Sequence, residues 1–239
     1  LIEVEDRRAI RQFSEKLLPA VGGTAYDQTM LIDGNDDRSI DVGLMARTPH
    51  RIGWMRSHAD DLDPRGRRVF SRDCPEFSIW TETGSVVWLL VNHFKSKGFG
   101  SQEASHARRL AQARAVRGIY DRLRLEGATH IAILGDLNDT PESEALAPLL
   151  ASGEIKDVMD HAAFQSDGRP GTFQNGNARD KLDYILLSPE LFVRTTGGGI
   201  WRKGVWGASR RPAWEVYPEM TASSHAASDH AALWCDLDV

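Results

Sequence analysis

The stretch IAILGDLN, at residues 131–138, determines much of the predicted fold. Ile131–Leu134 is a short, continuous apolar run, which is typical of a strand that is buried on both faces. Gly135 ends this run, and Asp136 and Asn138 follow it at once. Taken alone, this polar ending is also typical of an Asx turn. Taken as a strand end, it predicts a sheet whose edge carries a rigid polar site.

Further predicted elements surround this strand on both sides in the chain. The sequence predicts strands at Leu1–Val4, Ile40–Met45, Val86–Val91, Leu182–Leu187 and Ala231–Leu237. It predicts helices at Glu5–Leu18, which Pro19 ends, and at Gln102–Leu125, after a turn at Gly98–Gly100. Strands alternate with helices in places, whereas other stretches follow a strand, turn, strand pattern. We therefore expect an α+β (layered α/β) fold of two packed mixed β-sheets flanked by helices, in a single domain over residues 1–239.

Composition limits the class of protein. Of the 239 residues, 41% are hydrophobic, which is enough for a large core, and the net charge of −5 argues against an indiscriminate nucleic-acid coat. Cys74 and Cys235 form no CxxC pair, which argues against a structural zinc site; one disulfide and two free thiols are both open alternatives. No apolar run reaches the roughly 20 residues that span a bilayer. We recognise no signal peptide, and the compartment, cytoplasmic or secreted, stays open.

Polar residues with catalytic chemistry recur at the ends of the predicted strands. They are Glu3, Asn92, His93, Asp136, Asn138, Asp183, Asp229 and His230. Each has a structural alternative, such as a turn cap or a strand residue that faces water. Together they supply an oxygen ligand for Mg²⁺, a base for water and donors for phosphoryl oxygens. The joint pattern predicts hydrolysis of a phosphate ester by an activated water.

Six segments carry a family resemblance across almost the whole chain. They are Leu1–Glu5, Ser39–Leu44, Asn92–Lys97, Gly135–Asn138, Leu182–Ile185 and Ser228–His230. In this order they resemble the endonuclease/exonuclease/phosphatase superfamily, and the residues around His93 are most similar to its bacterial nuclease-type members. The resemblance implies a deoxyribonuclease I-like sandwich and a metal-dependent hydrolase. Its implied cofactor is Mg²⁺, with Mn²⁺ or Ca²⁺ as alternatives.

The resemblance implies roles for three residues at the metal and the phosphate. Glu3 corresponds to the metal-binding glutamate. His230 corresponds to the histidine that acts as general base or stabilises the attacked phosphate, and Asp183 corresponds to the carboxylate that orients it. The chain departs from the family in carrying Ile2 where a glutamine is usual. We also expect it to lack the family's first strand, which ends in an asparagine.

The resemblance gives roles to four more residues. Asp136 and Asn138 correspond to the pair that positions the nucleophilic water and a phosphate oxygen. Asp229 corresponds to an acidic residue near the metal. His93 corresponds to a second histidine of the deoxyribonuclease I, sphingomyelinase and lipid-phosphatase branches. Abasic-site endonucleases generally have a tyrosine there, so His93 argues against that branch.

Three residues are candidate substrate contacts. Asp41 alternates with apolar neighbours, so it points either toward the site or to solvent. Arg108 and Arg109 belong to an arginine-rich helix, which contacts a polyanion or forms a solvated face. The segment Trp201–Arg211 interleaves aromatic and basic residues. That pattern is typical of a base-stacking surface, and also of a structured surface loop.

Three classes of function stay open. The first is an endonuclease or exonuclease that hydrolyses phosphodiester bonds of nucleic acid. The second is a phosphatase or sphingomyelinase-like phosphodiesterase that acts on a small or lipid phosphate ester. The third is a non-catalytic relative that binds a partner. A separate metal-binding loop at Asp33–Asp37 lacks the later bidentate glutamate of an EF-hand, and we interpret it as a turn.

Overall fold

A computed structural model describes residues 1–98 and 100–239. Its strands are β1 (Gln28–Leu31), β2 (Gly43–Ala46), β3 (Arg51–Arg56), β4 (Glu76–Trp80), β5 (Val86–His93), β6 (Ile131–Asp136), β7 (Lys156–Asp157), β8 (Phe164–Gln165), β9 (Asp183–Leu187), β10 (Thr195–Trp201) and β11 (Ala232–Leu237). Its α-helices are α1 (Arg7–Gln12), α2 (Leu18–Ala20), α3 (Gln102–Leu125), α4 (Ala147–Leu150) and α5 (Pro189–Phe192). Short 3₁₀ turns lie at Val158–Asp160, Ala178–Asp180 and Ser223–His225.

Six strands form the central sheet, in the order β3-β4-β5-β6-β9-β7. β5 and β6 run parallel, whereas the other neighbouring pairs are antiparallel. A parallel pair requires a crossover connection, and α3 supplies it. Two small sheets, β1-β2 and β11-β10-β8, complete the β structure of the described residues. The predicted α+β layered fold of mixed sheets and helices is therefore confirmed, with two small sheets where a second sheet was expected.

The long helix α3 covers one face of the central sheet. The Ser101 hydroxyl caps its start by accepting a backbone N–H of the first turn at 3.1 Å. Its buried stripe includes Val116 and packs in one cluster with alternate strand residues such as Ile133. The predicted bounds of this helix are confirmed. The predicted turn Gly98–Gly100 contains Phe99, which lies outside the described residues.

The two small sheets cover the opposite face. Val87 and Ala132 belong to a core cluster that includes residues of β8 and β11. Phe77 and Val91 belong to a second cluster with residues of β1 and β2. Because successive strand residues alternate between faces, positions 93, 136 and 183 also belong to this side of the sheet. The polar ends of β5 and β6 and the polar start of β9 therefore face the small sheets.

The first residues differ from the prediction. Leu1–Val4 does not form a strand, because Glu3 has a φ of +58° that interrupts the extended backbone. In this segment Val4 alone forms a bridge, with Asp41. The predicted strand Ile40–Met45 is shortened at its start and becomes β2.

The first helix also differs from its predicted range of Glu5–Leu18. It begins at Arg7, because the Asp6 carboxylate accepts a backbone N–H of the first turn at 2.6 Å and caps the helix there. A π-helical turn then leads into α2, which contains Pro19. Pro19 lies in the first turn of α2, where a proline is tolerated, so it does not end the helix as predicted.

The two cysteines are free and lie on opposite faces of the central sheet. Full burial raises the pKa of the Cys74 thiol well above its ordinary value, so this thiol behaves as a small apolar core group. Of the two alternatives that the sequence left open, the free thiols are therefore correct. Within the described ranges, every helix is too short or too polar to cross a membrane.

A buried polar cluster around His58 joins the edge of the sheet to α3. His58 Nδ1 lies 2.8 Å from Asp61 Oδ2, and His58 Nε2 lies 3.3 Å from Glu76 Oε2. Glu76 also pairs with Arg122 of α3. Burial by itself lowers the pKa of His58, but the hydrogen bonds to Glu76 and Asp61 outweigh burial and raise the pKa above 6.5.

We predict that His58 stabilises the fold more at mildly acidic than at alkaline pH. Its pKa is raised above the unfolded value of 6.5, so its contribution is fully present below that pH and is lost as the pH rises through the folded pKa. In His58→Gln the unfolding free energy should therefore fall less steeply as the pH rises above 6.5. Urea denaturation across this range measures the slope, with the exposed His50→Gln as a control. Equal slopes in wild type and His58→Gln would contradict this account.

Candidate active site

Three neighbouring strands of the central sheet each place one polar residue in the same row. His93, the last residue of β5, lies opposite Asp136, the last residue of β6. Asp136 lies opposite Asp183, the first residue of β9. Paired positions present their side chains on one face, and three adjacent strands span roughly 10 Å. The sheet therefore aligns an imidazole and two carboxylates along its edge.

The fourth member, His230, comes from the loop before β11. Its Nδ1 donates to Asp183 Oδ2 at 2.7 Å. Its ring also contacts the ring of Phe173, with 4.8 Å between the centroids, and the two residues form a backbone bridge. Candidate ligand atoms of Asp136, Asp183 and His230 all lie within 4.8 Å of one another. The row His93-Asp136-Asp183 and His230 thus form one cluster, which we call the catalytic row.

The surroundings shift the pKa values of the groups in the catalytic row in different directions. Burial by itself lowers the pKa of His230, but its hydrogen bond to Asp183 and the nearby carboxylates outweigh burial and raise the pKa to about 9. Burial and the charge of Asp183 raise the pKa of Asp136 to about 7. Burial and the charge of Arg72 lower the pKa of His93 to about 3. Near neutral pH the row therefore holds a cationic His230, a neutral His93 and a carboxyl group that titrates.

Asn138 holds the Asp136 carboxyl group in place. The backbone N–H of Asn138 donates to Asp136 Oδ1 at 2.8 Å. Its Nδ2 donates to Asp136 Oδ2 at 2.8 Å and to the Phe94 carbonyl at 3.1 Å. Its φ of +54° lies in the left-handed region, which is uncommon for a residue other than glycine and is frequent at functional sites. Asn138 is thus placed as a positioning residue for Asp136.

Glu3 approaches the catalytic row from the N-terminal segment. Two backbone hydrogen bonds between Val4 and Asp41, of 3.0 and 2.8 Å, fix this segment beside β2. Glu3 Oε1 lies 3.9 Å from His93 Nε2, which in turn lies 3.6 Å from Asp136 Oδ2. The Glu3 side chain is 59% exposed. His93 therefore lies between the predicted metal ligand and Asp136.

The donors of this site fit a divalent cation. After burial, the charges of Asp183 and Glu3 also raise the pKa of Asp136, which shows that carboxylates repel one another here. A cation relieves such repulsion, and carboxylate oxygens are the ligands that Mg²⁺ and Mn²⁺ prefer. The carboxylates of Asp136 and Asp183 are also close enough to share an ion.

Asp229 and Asp41 are two further predicted site residues, and both lie outside the catalytic row. Asp229 is exposed and lines a cavity beside His230. Asp41 is buried, and its Oδ1 accepts the Gly34 N–H at 2.7 Å. Burial raises the pKa of Asp41. The Asp41 carboxyl group therefore holds a loop in place, and it does not face a substrate as predicted.

The two arginines predicted to contact substrate lie on α3. Arg109 is 2% exposed, its Nε donates to Asp139 Oδ2 at 2.9 Å, and its Nη1 donates to a backbone carbonyl at 3.0 Å. It anchors the helix to the loop after β6, and its guanidinium does not face a substrate. Arg108 is half-buried near Asp63 and Arg67. Substrate contact by Arg108 stays a prediction.

No sequence pattern indicates Arg72, which lies behind the site. It is 2% exposed, its Nη1 donates to the Phe94 carbonyl at 2.9 Å, and its Nε pairs with Asp36 at 2.9 Å. Its positive charge acts on His93, whose pKa it helps to lower. Arg72 lies in the loop between β3 and β4, where no apolar periodicity or motif marks it. Only the folded contacts reveal it.

Comparisons with known proteins agree with the fold. A family model described as "Endonuclease/Exonuclease/phosphatase family" matches residues 1–198. No curated protein sequence matches the chain. The solved endonuclease/exonuclease/phosphatase from Bacteroides vulgatus has a TM-score of 0.66 and 16% identity, over 100% of this chain and 83% of that chain.

Two further solved structures have the same fold. The Bacteroides thetaiotaomicron mannosyl-6-phosphatase has a TM-score of 0.64 and 16% identity, over 100% of this chain and 84% of that chain. The human Nocturnin catalytic domain has a TM-score of 0.61 and 15% identity, over 95% of this chain and 77% of that chain. At these identities the similarity establishes the fold, which the sequence resemblance had predicted.

Gly135 sets the spacing between β5 and β6 directly beside the catalytic row. Its φ is +126°, and a Cβ at this position would lie 1.9 Å from the Asn92 carbonyl oxygen. We predict that Gly135→Ala lowers the unfolding free energy by about 2 kcal/mol or more, because neither the backbone angle nor the close approach admits a methyl group.

Urea denaturation measures the effect of Gly135→Ala. Gly118→Ala is a matched control, because Gly118 lies within α3 with open space around its Cβ position. That change should stabilise the protein by roughly 0.5–1 kcal/mol. Unchanged stability of Gly135→Ala would show that the two strands can separate at no cost.

Proposed function

The chain belongs to the endonuclease/exonuclease/phosphatase family, and we propose that it is a divalent-metal-dependent phosphodiesterase that acts on nucleic acid. The observation that carries this proposal is the catalytic row, in which His93, Asp136 and Asp183 share one sheet edge and His230 bonds to Asp183 at 2.7 Å. This row combines a cationic donor, a carboxyl group that can accept a proton and a set of oxygen ligands. In-line hydrolysis by water requires these three kinds of group.

His230 binds the phosphate in the proposed reaction. Its Nδ1 donates to Asp183, so Nε2 points away from that carboxylate, and the side chain is 27% exposed. The pKa of about 9 keeps the ring cationic at neutral pH. A fixed cationic donor stabilises the negative charge that develops on a phosphoryl oxygen. His93 is neutral, and its Nε2 donates to a second phosphoryl oxygen from the same sheet edge.

Asp136 activates the water. The backbone N–H and the Nδ2 of Asn138 donate to the two oxygens of Asp136, so the carboxylate is fixed in place to act as general base for the water. The water oxygen forms the new bond to phosphorus, its proton passes to Asp136, and the bond to the leaving oxygen breaks. Asn138 contributes to the reaction by holding the Asp136 carboxylate in position.

Glu3 holds the metal ion in this proposal. Asp136 and Asp183 already accept hydrogen bonds from Asn138 and His230, whereas the Glu3 carboxylate is 59% exposed at the margin of the row. Mg²⁺ keeps several waters and needs few protein carboxylates. When bound, a divalent cation polarises a phosphoryl oxygen and offsets charge on the leaving oxygen.

We predict that His230→Ala and Asp136→Asn each lower kcat/KM for bis(4-nitrophenyl) phosphate by about 10²–10⁴, because each removes one electrostatic or acid–base partner. Turnover is followed by release of 4-nitrophenolate in the presence of Mg²⁺ or Mn²⁺. Circular dichroism checks that both variants are folded, and the exposed His50→Ala should retain wild-type turnover. Near-wild-type turnover in either site variant would refute its assigned role.

We predict that Mn²⁺ raises the thermal unfolding midpoint of the wild-type protein and raises that of Glu3→Gln much less. Stabilisation by a ligand grows with its concentration relative to Kd, so an affinity that is about tenfold weaker reduces the shift. Glu5→Gln removes an exposed charge two residues away and should show the full shift. If Asp183→Asn loses the shift while Glu3→Gln keeps it, the ion is held by Asp136, Asp183 and His230 and the assignment to Glu3 is wrong.

A further inference from the structure

A cavity of about 380 Å³ opens beside the catalytic row, on the side of His230. Phe173 and Asp229 belong to its wall, and both are tied to His230: the Phe173 ring contacts the imidazole, and Asp229 directly precedes it. The backbone N–H of Gln174, another wall residue, donates to the Asp229 carbonyl at 3.3 Å. A group attached to a phosphate at His230 therefore lies next to this cavity.

The far wall of the cavity is a loop that is held close to Gln174. Gly207 has a φ of +84°, and a Cβ there would lie 2.9 Å from the Gln174 carbonyl oxygen and 3.2 Å from the Trp214 ring. The Asn175 Oδ1 accepts from the Ala208 N–H at 3.2 Å and also from a neighbouring serine hydroxyl at 2.9 Å. Gln174 itself has a φ of +45°, which a glutamine rarely adopts. The cavity is thus fixed by specific contacts.

The lining identifies the chemistry of the occupant. Phe173 and Trp206 contribute aromatic surface, and Gln174 and Ser228 contribute neutral polar groups. Asp229 is the charged residue among those that line the cavity. A carboxylate disfavours a second phosphate, and a hydrocarbon chain would leave the polar groups of Gln174, Ser228 and Asp229 without partners. The cavity therefore favours a neutral ring that has an apolar face and a hydrogen-bonding edge.

We propose that this cavity binds the nucleobase of the nucleotide whose phosphate is attacked, with its face against Trp206 and its edge toward Gln174 and Asp229. Aromatic side chains stack on any base, and amide and carboxylate groups bind base edges. A volume of about 380 Å³ lies within the range of small-ligand pockets and is too small for a duplex. A base must leave its stack to enter, so the preferred substrate is single-stranded nucleic acid or a chain end. This inference rests on the proposed function.

The first test uses the wild-type protein and three 4-nitrophenyl phosphodiesters with the same scissile bond. One carries thymidine at its 5′ oxygen, one carries the same sugar without a base, and one carries a methyl group. We expect kcat/KM to be at least about tenfold higher for the thymidine ester than for the other two, which is the order expected for one stacked base.

The outcomes of this test separate the two proposals. Equal kcat/KM for all three esters would overturn the base-binding inference and leave the phosphodiesterase proposal standing. If kcat/KM is equal for the thymidine and base-free esters and lower for the methyl ester, the cavity binds the sugar and not the base. That result also overturns the inference. If none of the three esters is hydrolysed in the presence of Mg²⁺ or Mn²⁺, the proposed function itself is overturned.

A second test uses Trp206→Leu, which removes the aromatic surface but keeps an apolar side chain. The ratio of kcat/KM for the thymidine ester to that for the methyl ester should fall about tenfold, and this ratio cancels a general loss of active protein. Trp201→Leu is the matched control, because Trp201 is 51% exposed on β10 and lies outside the cavity lining. A ratio in Trp206→Leu that equals the wild-type ratio would overturn the inference.

Discussion

The register of β5, β6 and β9 is the constraint from which the candidate site follows. His93, Asp136 and Asp183 pair directly across three strands, so one sheet edge presents all three on the same face. Because side chains alternate along a strand, a shift of one residue in β6 would turn Asp136 toward α3 and its apolar core. Gly135 secures this register, since it allows β6 to approach the Asn92 carbonyl more closely than any side chain would permit. Backbone pairing, more than any side-chain contact, therefore positions His93, Asp136 and Asp183.

This alignment has an electrostatic cost that the surroundings only partly offset. Burial and the neighbouring Asp183 raise the pKa of Asp136 to about 7, so the free protein holds one carboxyl group between its two protonation states. His230 compensates Asp183 by a hydrogen bond, and the buried Arg72 adds positive charge from behind. The carboxylate repulsion that remains would be relieved by a bound metal ion, and the cationic His230 would then pair with a phosphate ester. Groups that destabilise a folded protein in this way are characteristic of sites selected for function.

Sequence patterns predicted α3 and the strands β2, β5, β6, β9 and β11, whereas they missed β1, β3, β4, β7, β8 and β10. β5 and β6 are continuous apolar runs and α3 has a strong helical periodicity, so these elements and the polar residues at their ends could be predicted. Leu1–Val4 has apolar character, but Glu3 has a φ of +58°, which no pattern in the sequence indicates. Asp41 and Arg109 look like surface charges in the sequence, yet each is buried by a partner distant in the chain. A charge pattern predicts how many polar groups a chain carries; it does not predict which of them packing will enclose.

The position of His230 links the chemistry to the neighbouring cavity. Three residues of the catalytic row, His93, Asp136 and Asp183, are fixed by strand pairing. The fourth, His230, lies in a loop that Asp183 and Phe173 hold in place. Phe173 belongs to both the support of His230 and the wall of the cavity. A ring bound in the cavity would therefore lie beside an aromatic side chain that also contacts the imidazole. The cationic donor is thus the member of the cluster that side-chain contacts hold in place, and one of these contacts, Phe173, also lines the cavity.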